Sequence, residues 1–80
     1  MKLLKFTANW CSSCRQQSEI LKDFNDILIE EIDIEEQFEL ADEYGIRNLP
    51  TMILLDDEGK EKYRFIGVTT LDKIRGFLNE

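Results

Sequence analysis

Short apolar runs and stripes at helical spacing alternate along this chain in an order that admits few folds. Leu3 to Thr7, with Leu3, Leu4 and Phe6 apolar, predicts a strand. Cys11 to about Asp23 places Cys14, Gln17, Ile20, Leu21 and Phe24 three or four residues apart, as one face of a helix. Ile27 to Ile34 predicts a second strand, partly alternating through Ile27, Ile29, Ile32 and Ile34. Glu36 to Tyr44 predicts a short helix with Phe38, Leu40, Ala41 and Tyr44 as its contacts, and Gly45 stands where such a helix stops. Thr51 to Leu55 is a continuous apolar strand entered through Pro50. Asp56-Asp57-Glu58-Gly59 then signals a hairpin turn, and Glu61 to Ile66 is the returning strand. Thr70 caps a last helix carrying Leu71, Ile74, Phe77 and Leu78 on one side. The order is βαβαββα. A right-handed crossover joins the first two strands in parallel. The expected fold is therefore α/β: a four-stranded mixed sheet with three helices covering both faces, in one domain spanning residues 1–80.

Composition narrows what such a domain does. A chain of 80 residues buries only about 60–65% of its unfolded surface. A hydrophobic share of 42% is adequate for that core, and a charged share of 34% argues for a soluble protein. Its apolar runs are far too short to span a membrane. The N-terminus turns polar at Lys5 before an export signal develops, so the cytoplasm is the expected compartment. Net charge is −7, and ten acids with no Lys or Arg fall between Asp23 and Glu43. Such a face repels a phosphate backbone, so no nucleic-acid partner is expected. The plain account of the acidic run is a solvated surface; steering of basic partners is the alternative.

The chemistry concentrates in Trp10-Cys11-Ser12-Ser13-Cys14, which holds both cysteines at a junction between strand and helix. A Cys-x-x-Cys in that position opens and closes a disulfide reversibly. A thiolate at Cys11 meets the unpaired N–H groups and positive dipole end of the helix, which lower its pKa. In a compartment that keeps thiols reduced, such a pair is redox-active or metal-binding rather than structural. Zinc normally takes four ligands, and two cysteines without any histidine supply only half a site. A dithiol redox centre is therefore the first expectation, with no metal; a shared metal site and an inert pair are the alternatives. Cys11, at the helix terminus, is the expected nucleophile and Cys14, one turn deeper, the resolving thiol.

Four segments together resemble the thioredoxin family: Phe6-Thr7-Ala8-Asn9-Trp10-Cys11-Ser12-Ser13-Cys14, Tyr44-Gly45-Ile46-Arg47-Asn48-Leu49-Pro50-Thr51, Asp57-Glu58-Gly59 and Phe65-Ile66-Gly67. The similarity runs through essentially all 80 residues, although the family's usual N-terminal strand and helix have no counterpart and the size is that of a glutaredoxin. The resemblance implies a cis Pro50 beside the cysteine pair and a Leu49 backbone free to pair with an extended substrate segment. It also implies that Gly67 lets a partner backbone approach; a glycine that merely ends a strand fits as well. Trp10 is expected to form a partly exposed wall of the substrate surface, with a core aromatic as the alternative. Tyr44, Phe24, Phe38 and Phe77 are expected in the core. No cofactor is implied beyond the reversible Cys11–Cys14 disulfide.

Two departures from the family pattern stand out. The inner dipeptide is Ser12-Ser13, where thioredoxins usually carry Gly-Pro and glutaredoxins Pro-Tyr. A serine hydroxyl donating to a neighbouring thiolate favours the reduced dithiol, which makes the disulfide more oxidising; two tolerated small polar residues are the alternative. Further, Lys5 stands where thioredoxins bury an Asp, and Glu31 where they carry a Lys, as though an ion pair were exchanged. Glu31 is then a candidate for taking the proton of the resolving thiol, with Lys5 depressing thiol pKa values. Otherwise Lys5 snorkels outward along its stem.

The expected function is that of a small cytoplasmic dithiol–disulfide oxidoreductase, monomeric, reducing protein disulfides and recharged by an upstream reductase, thioredoxin reductase-like or glutathione. A glutaredoxin-like donor using glutathione, for example to ribonucleotide reductase, is the nearest alternative, although no Gly-Gly pair precedes the last helix. A non-catalytic thioredoxin-fold binding module is the alternative of another class.

Overall fold

The computed structural model describes residues 1–79. Its elements are β1 (Lys2–Thr7), α1 (Ser12–Ile20), β2 (Leu28–Asp33), α2 (Phe38–Glu43), β3 (Thr51–Leu55), β4 (Glu61–Ile66) and α3 (Leu71–Leu78). They form one four-stranded sheet in the order β2-β1-β3-β4. β1 and β2 are parallel, joined through α1, while β3 runs antiparallel to both β1 and β4. The expected βαβαββα order and mixed sheet are thus observed.

Strand alternation sorts the core into two layers. Leu3, Met52, Leu54 and Phe65 point to the face covered by Leu21, Phe24 and Ile74, the residues of α1, its exit turn and α3. Leu4, Phe6, Ile32, Ile53 and Leu55 point to the other, where Ala41 of α2 packs with Leu40 and Tyr44 beside it. β3 is buried at all five positions because it is central and covered on both sides, which is why it carries no alternation. α3 is held to β4 by rings: Tyr63 stacks on Phe77 at 3.7 Å, and Phe65 meets Phe77 edge-on. Burying each such large apolar side chain stabilises by about 1.5–3 kcal/mol.

β1 starts one residue earlier than expected, β2 spans Leu28–Asp33 rather than Ile27 to Ile34, and the helix ends differ for local reasons. α1 starts at Ser12, with Cys11 as its N-cap, and ends at Ile20 rather than near Asp23. The chain then turns, the Phe24 amide donating to Leu21 O, and Phe24 stays buried as a turn residue. α2 starts at Phe38, not Glu36. There the Asp33 carboxylate accepts the Glu35 amide and Asp33 O the Gln37 amide, a local turn that competes with helix. Because α2 begins at Phe38 and turns Leu40, Ala41 and Tyr44 inward, the Phe38 ring is 65% exposed and not in the core. Gly45 takes φ +66° just past this helix, the left-handed cap conformation that glycine adopts without strain.

Candidate active site

β1 delivers the chain into the site. The Cys11 amide donates to Ala8 O at 3.1 Å, a tight turn that aims the next residues into α1. Cys11 is extended (φ −93°, ψ 104°) and its Sγ accepts the Cys14 amide at 3.1 Å. Sulfur thus occupies the place where a serine or aspartate oxygen would cap a helix. The cap interaction aims a backbone N–H at Cys11 Sγ, in addition to the dipole of α1. The first turn of α1 holds no acidic residue to offset that field. Cys11 and Cys14 are joined in a disulfide with Cα atoms 5.2 Å apart. Both are buried, Cys14 the more deeply. Cys11 thus stands at the helix cap and Cys14 within the first turn behind it.

An open groove of about 460 Å³ runs past Cys11. Trp10, Ser12 and Ser13 line one side, and Ile46, Arg47 and Leu49 the other. Trp10 is 66% exposed, a wall rather than a core ring. The Leu49–Pro50 bond is cis, as the resemblance implied. Ser13 Oγ reaches across, donating to Leu49 O at 3.2 Å while lying 3.3 Å from Cys11 Sγ. Ser12 is exposed at the head of the helix.

The loop after β4 is tied to the same region. The Gly67 amide donates to Pro50 O at 2.9 Å. Gly67 has φ +86°, and a Cβ built there meets nothing within 4 Å. Glycine at this position therefore answers a backbone requirement, on open surface flanked by exposed Ile66 and Val68. Gln17 of α1 is fully buried and makes two bonds to one residue: its Oε1 accepts the Thr69 amide at 2.7 Å, and its Nε2 donates to Thr69 O at 3.0 Å.

Behind the disulfide sits Lys5, only 2% exposed, so it does not snorkel to solvent. Its Nζ donates to Ser18 Oγ at 2.6 Å, and Ser18 Oγ donates to Cys14 O at 3.1 Å. β1 and β2 pair Lys5 directly with Glu31, whose Oε2 lies 3.5 Å from Nζ. The two sides of this ion pair are unequal, since the Glu31 side chain is 64% exposed. Glu31, Ser18, Asp33 and Cys14 line a second hollow of about 330 Å³ on this side. Among the described residues, no group of three or more His, Cys, Asp or Glu gathers to hold a metal ion.

Two of these residues escaped sequence reasoning. The spacing puts Gln17 on the buried stripe of α1 but names no partner for it; a lone amide on an inward face signals a buried hydrogen-bond network. Ser18 carries no sequence signal, because its role depends on Lys5 lying opposite.

A disulfide closed between a helix cap and the first turn, at the rim of an open groove, is built to exchange with other disulfides, and it defines a thiol–disulfide oxidoreductase site. The thioredoxin family model matches residues 1–80. The chain is 30% identical to a thioredoxin of Chlamydia caviae, covering 98% of this chain and 79% of that protein. It is 29% identical to a protein disulfide-isomerase of Schizosaccharomyces pombe, over 98% of this chain but only 24% of that longer protein. Among solved structures, thioredoxin 1 of Thermosipho africanus superposes with a TM-score of 0.79 at 30% identity, covering 99% of this chain and 91% of that one. The chain belongs to the thioredoxin family.

Proposed function

We propose that this protein is a cytoplasmic, monomeric carrier of electrons to protein disulfides. The observation that carries this is Cys11 Sγ, which holds the α1 cap and lines the groove beside the Leu49–Pro50 loop. In the reduced protein the Cys11 thiolate attacks one sulfur of a substrate disulfide. A Cys11–substrate disulfide forms and the other substrate sulfur leaves as a thiolate. Cys14 then attacks Cys11 Sγ, restoring the Cys11–Cys14 disulfide and releasing the second substrate thiol. Two electrons pass to the substrate, and an upstream reductase, thioredoxin reductase-like or glutathione, returns them.

The groove supports an extended substrate segment laid against the Leu49 backbone, with Trp10 as its wall and the Gly67 loop at its margin. Lys5 tunes the centre. A positive charge buried behind Cys14 favours the thiolate forms, and Glu31, mostly solvated, offsets it in part. Ser12 and Ser13 stand where thioredoxins usually carry Gly-Pro, which offers the thiolate no side-chain hydroxyl.

Equilibration in thiol redox buffers tests the proposal. A potential near about −270 mV supports a general protein reductant, and roughly −200 to −230 mV a glutathione-linked donor. A pair that forms no disulfide at any accessible potential, or a Cys11→Ser variant with full activity, would sink the redox function in favour of a binding module.

A further inference from the structure

The geometry points to Ser13 as a positioning residue that links the charge on Cys11 to the availability of the Leu49 carbonyl for docking. This rests on the proposed pairing of substrate with the Leu49 backbone. Ser13 has one hydroxyl proton and two acceptors in reach: Leu49 O at 3.2 Å and Cys11 Sγ at 3.3 Å. In the disulfide, Cys11 Sγ carries no proton and no charge, and a carbonyl oxygen is the better acceptor. The hydroxyl then belongs to Leu49 O.

Reduction reverses the preference. A Cys11 thiolate is an ionised acceptor, and charge-assisted hydrogen bonds are roughly twice as strong as neutral ones. Ser13 Oγ–H turns to the sulfur without breaking a covalent bond or giving up its proton. Leu49 O is released into the groove that Ser13 and Leu49 both line. The reduced protein thus offers a free acceptor to a substrate amide. Once Cys11–Cys14 closes, Ser13 takes the carbonyl back and competes with the product strand. Neither acceptor is left without a donor in the state that needs it.

The charged groups around this pair act in the same direction in both serine and alanine forms. Arg47 lines the groove opposite, Arg15 lies in the first turn of α1, and Lys5 stands behind Cys14 through Ser18. Glu31, Asp33 and Glu36 line the hollow on the Cys14 side. Comparing Ser13→Ala with the parent therefore isolates the hydroxyl.

The test is the ¹³C carbonyl shift of Leu49, followed by NMR in the oxidised protein and in the reduced protein above the titration of Cys11. In the parent the signal moves on reduction as its hydrogen bond is lost. In Ser13→Ala it starts at the unbonded position and stays there, Cys11 titrates at higher pH, and Ser13→Thr restores the parental response. A second readout uses an extended peptide with serine in place of cysteine. The reduced parent binds it about two- to tenfold more tightly than the oxidised parent, the range of one net hydrogen bond; in Ser13→Ala that ratio falls toward one. A Leu49 carbonyl shift that changes equally on reduction in the parent and in Ser13→Ala overturns the inference. Full reduction of disulfide substrates by the parent in that same case would leave the proposed function standing, whereas loss of disulfide exchange altogether would remove both.

Discussion

Gln17 and Thr69, 52 residues apart, are joined by two opposed hydrogen bonds, the glutamine amide serving Thr69 as a second peptide group would. Thr69 Oγ1 in turn donates to Gly67 O at 3.0 Å, and the Gly67 amide donates to Pro50 O. One buried side chain of the active-site helix thereby fixes the loop after β4, and through it the cis-proline loop. These polar contacts link the three segments alongside the apolar packing of Leu49 and Ile34 on Ala8, Cys11 and Cys14.

Gln17→Leu removes both bonds and leaves a buried N–H and C=O unsatisfied. The expected loss is about 2–4 kcal/mol, a fall in midpoint of roughly 10–20 °C for a domain of this size. Thermal unfolding by circular dichroism reads it. Exchange with small disulfides is retained while KM for protein disulfides rises, because the loop positions change and the sulfurs do not.

The two cysteines are distinguished by trapping. Cys14→Ser accumulates a covalent Cys11–substrate disulfide, visible by mass spectrometry under non-reducing conditions. Cys11→Ser accumulates none. Equal trapping by both variants would contradict the assignment of Cys11, the helix cap, as the attacking sulfur.

Lys5 and Glu31 are separable by potential and by rate. Lys5→Met removes the buried positive charge, so the thiolates lose a favourable neighbour and the potential becomes more negative by roughly 10–30 mV. Stability changes little or rises, since an apolar residue replaces a buried ion. Glu31→Gln leaves the ammonium less compensated and shifts the potential the other way. Mixed disulfides resolve in Glu31→Gln at the parental rate if the carboxylate acts only through Lys5; slower resolution assigns it as the proton acceptor for Cys14.

The hairpin turn gives a pH dependence. The Lys60 amide hydrogen bond, helped by that from Glu58, holds the Asp56 carboxyl below the usual carboxylate range, while desolvation opposes. With its folded pKa depressed, Asp56 contributes stability that is fully present above its unfolded value. That stability is lost as pH falls through the folded value. Asp56→Asn is therefore less stable than the parent near neutrality, and the difference shrinks toward about pH 2. Urea titrations at the two pH values measure it.

The legible part of this protein is the part carried by local pattern. Thr51–Leu55 and Glu61–Ile66 match the expected strands because an apolar run and a turn of Asp and Gly leave one pairing. Cys11 and Cys14 are legible because no other residues of the chain carry thiol chemistry. Helix ends were less so: Asp33 turned the chain before α2, and the competition between an Asx turn and a helix is close in energy. The same turn leaves Phe38 at the surface, where its spacing alone predicts a core contact.

Element order, the two-faced sheet and the redox pair are all readable from the chain alone, since periodicity and thiol chemistry depend on residues near one another in it. The folded arrangement supplies what no spacing encodes. It set Lys5 under Ser18 rather than at the surface, placed Gln17 against Thr69, and brought the single proton of Ser13 between Cys11 Sγ and Leu49 O. Each of these is a contact between segments whose distance is set only when the sheet has formed, and directional hydrogen bonds of about 3 Å depend on that last ångström.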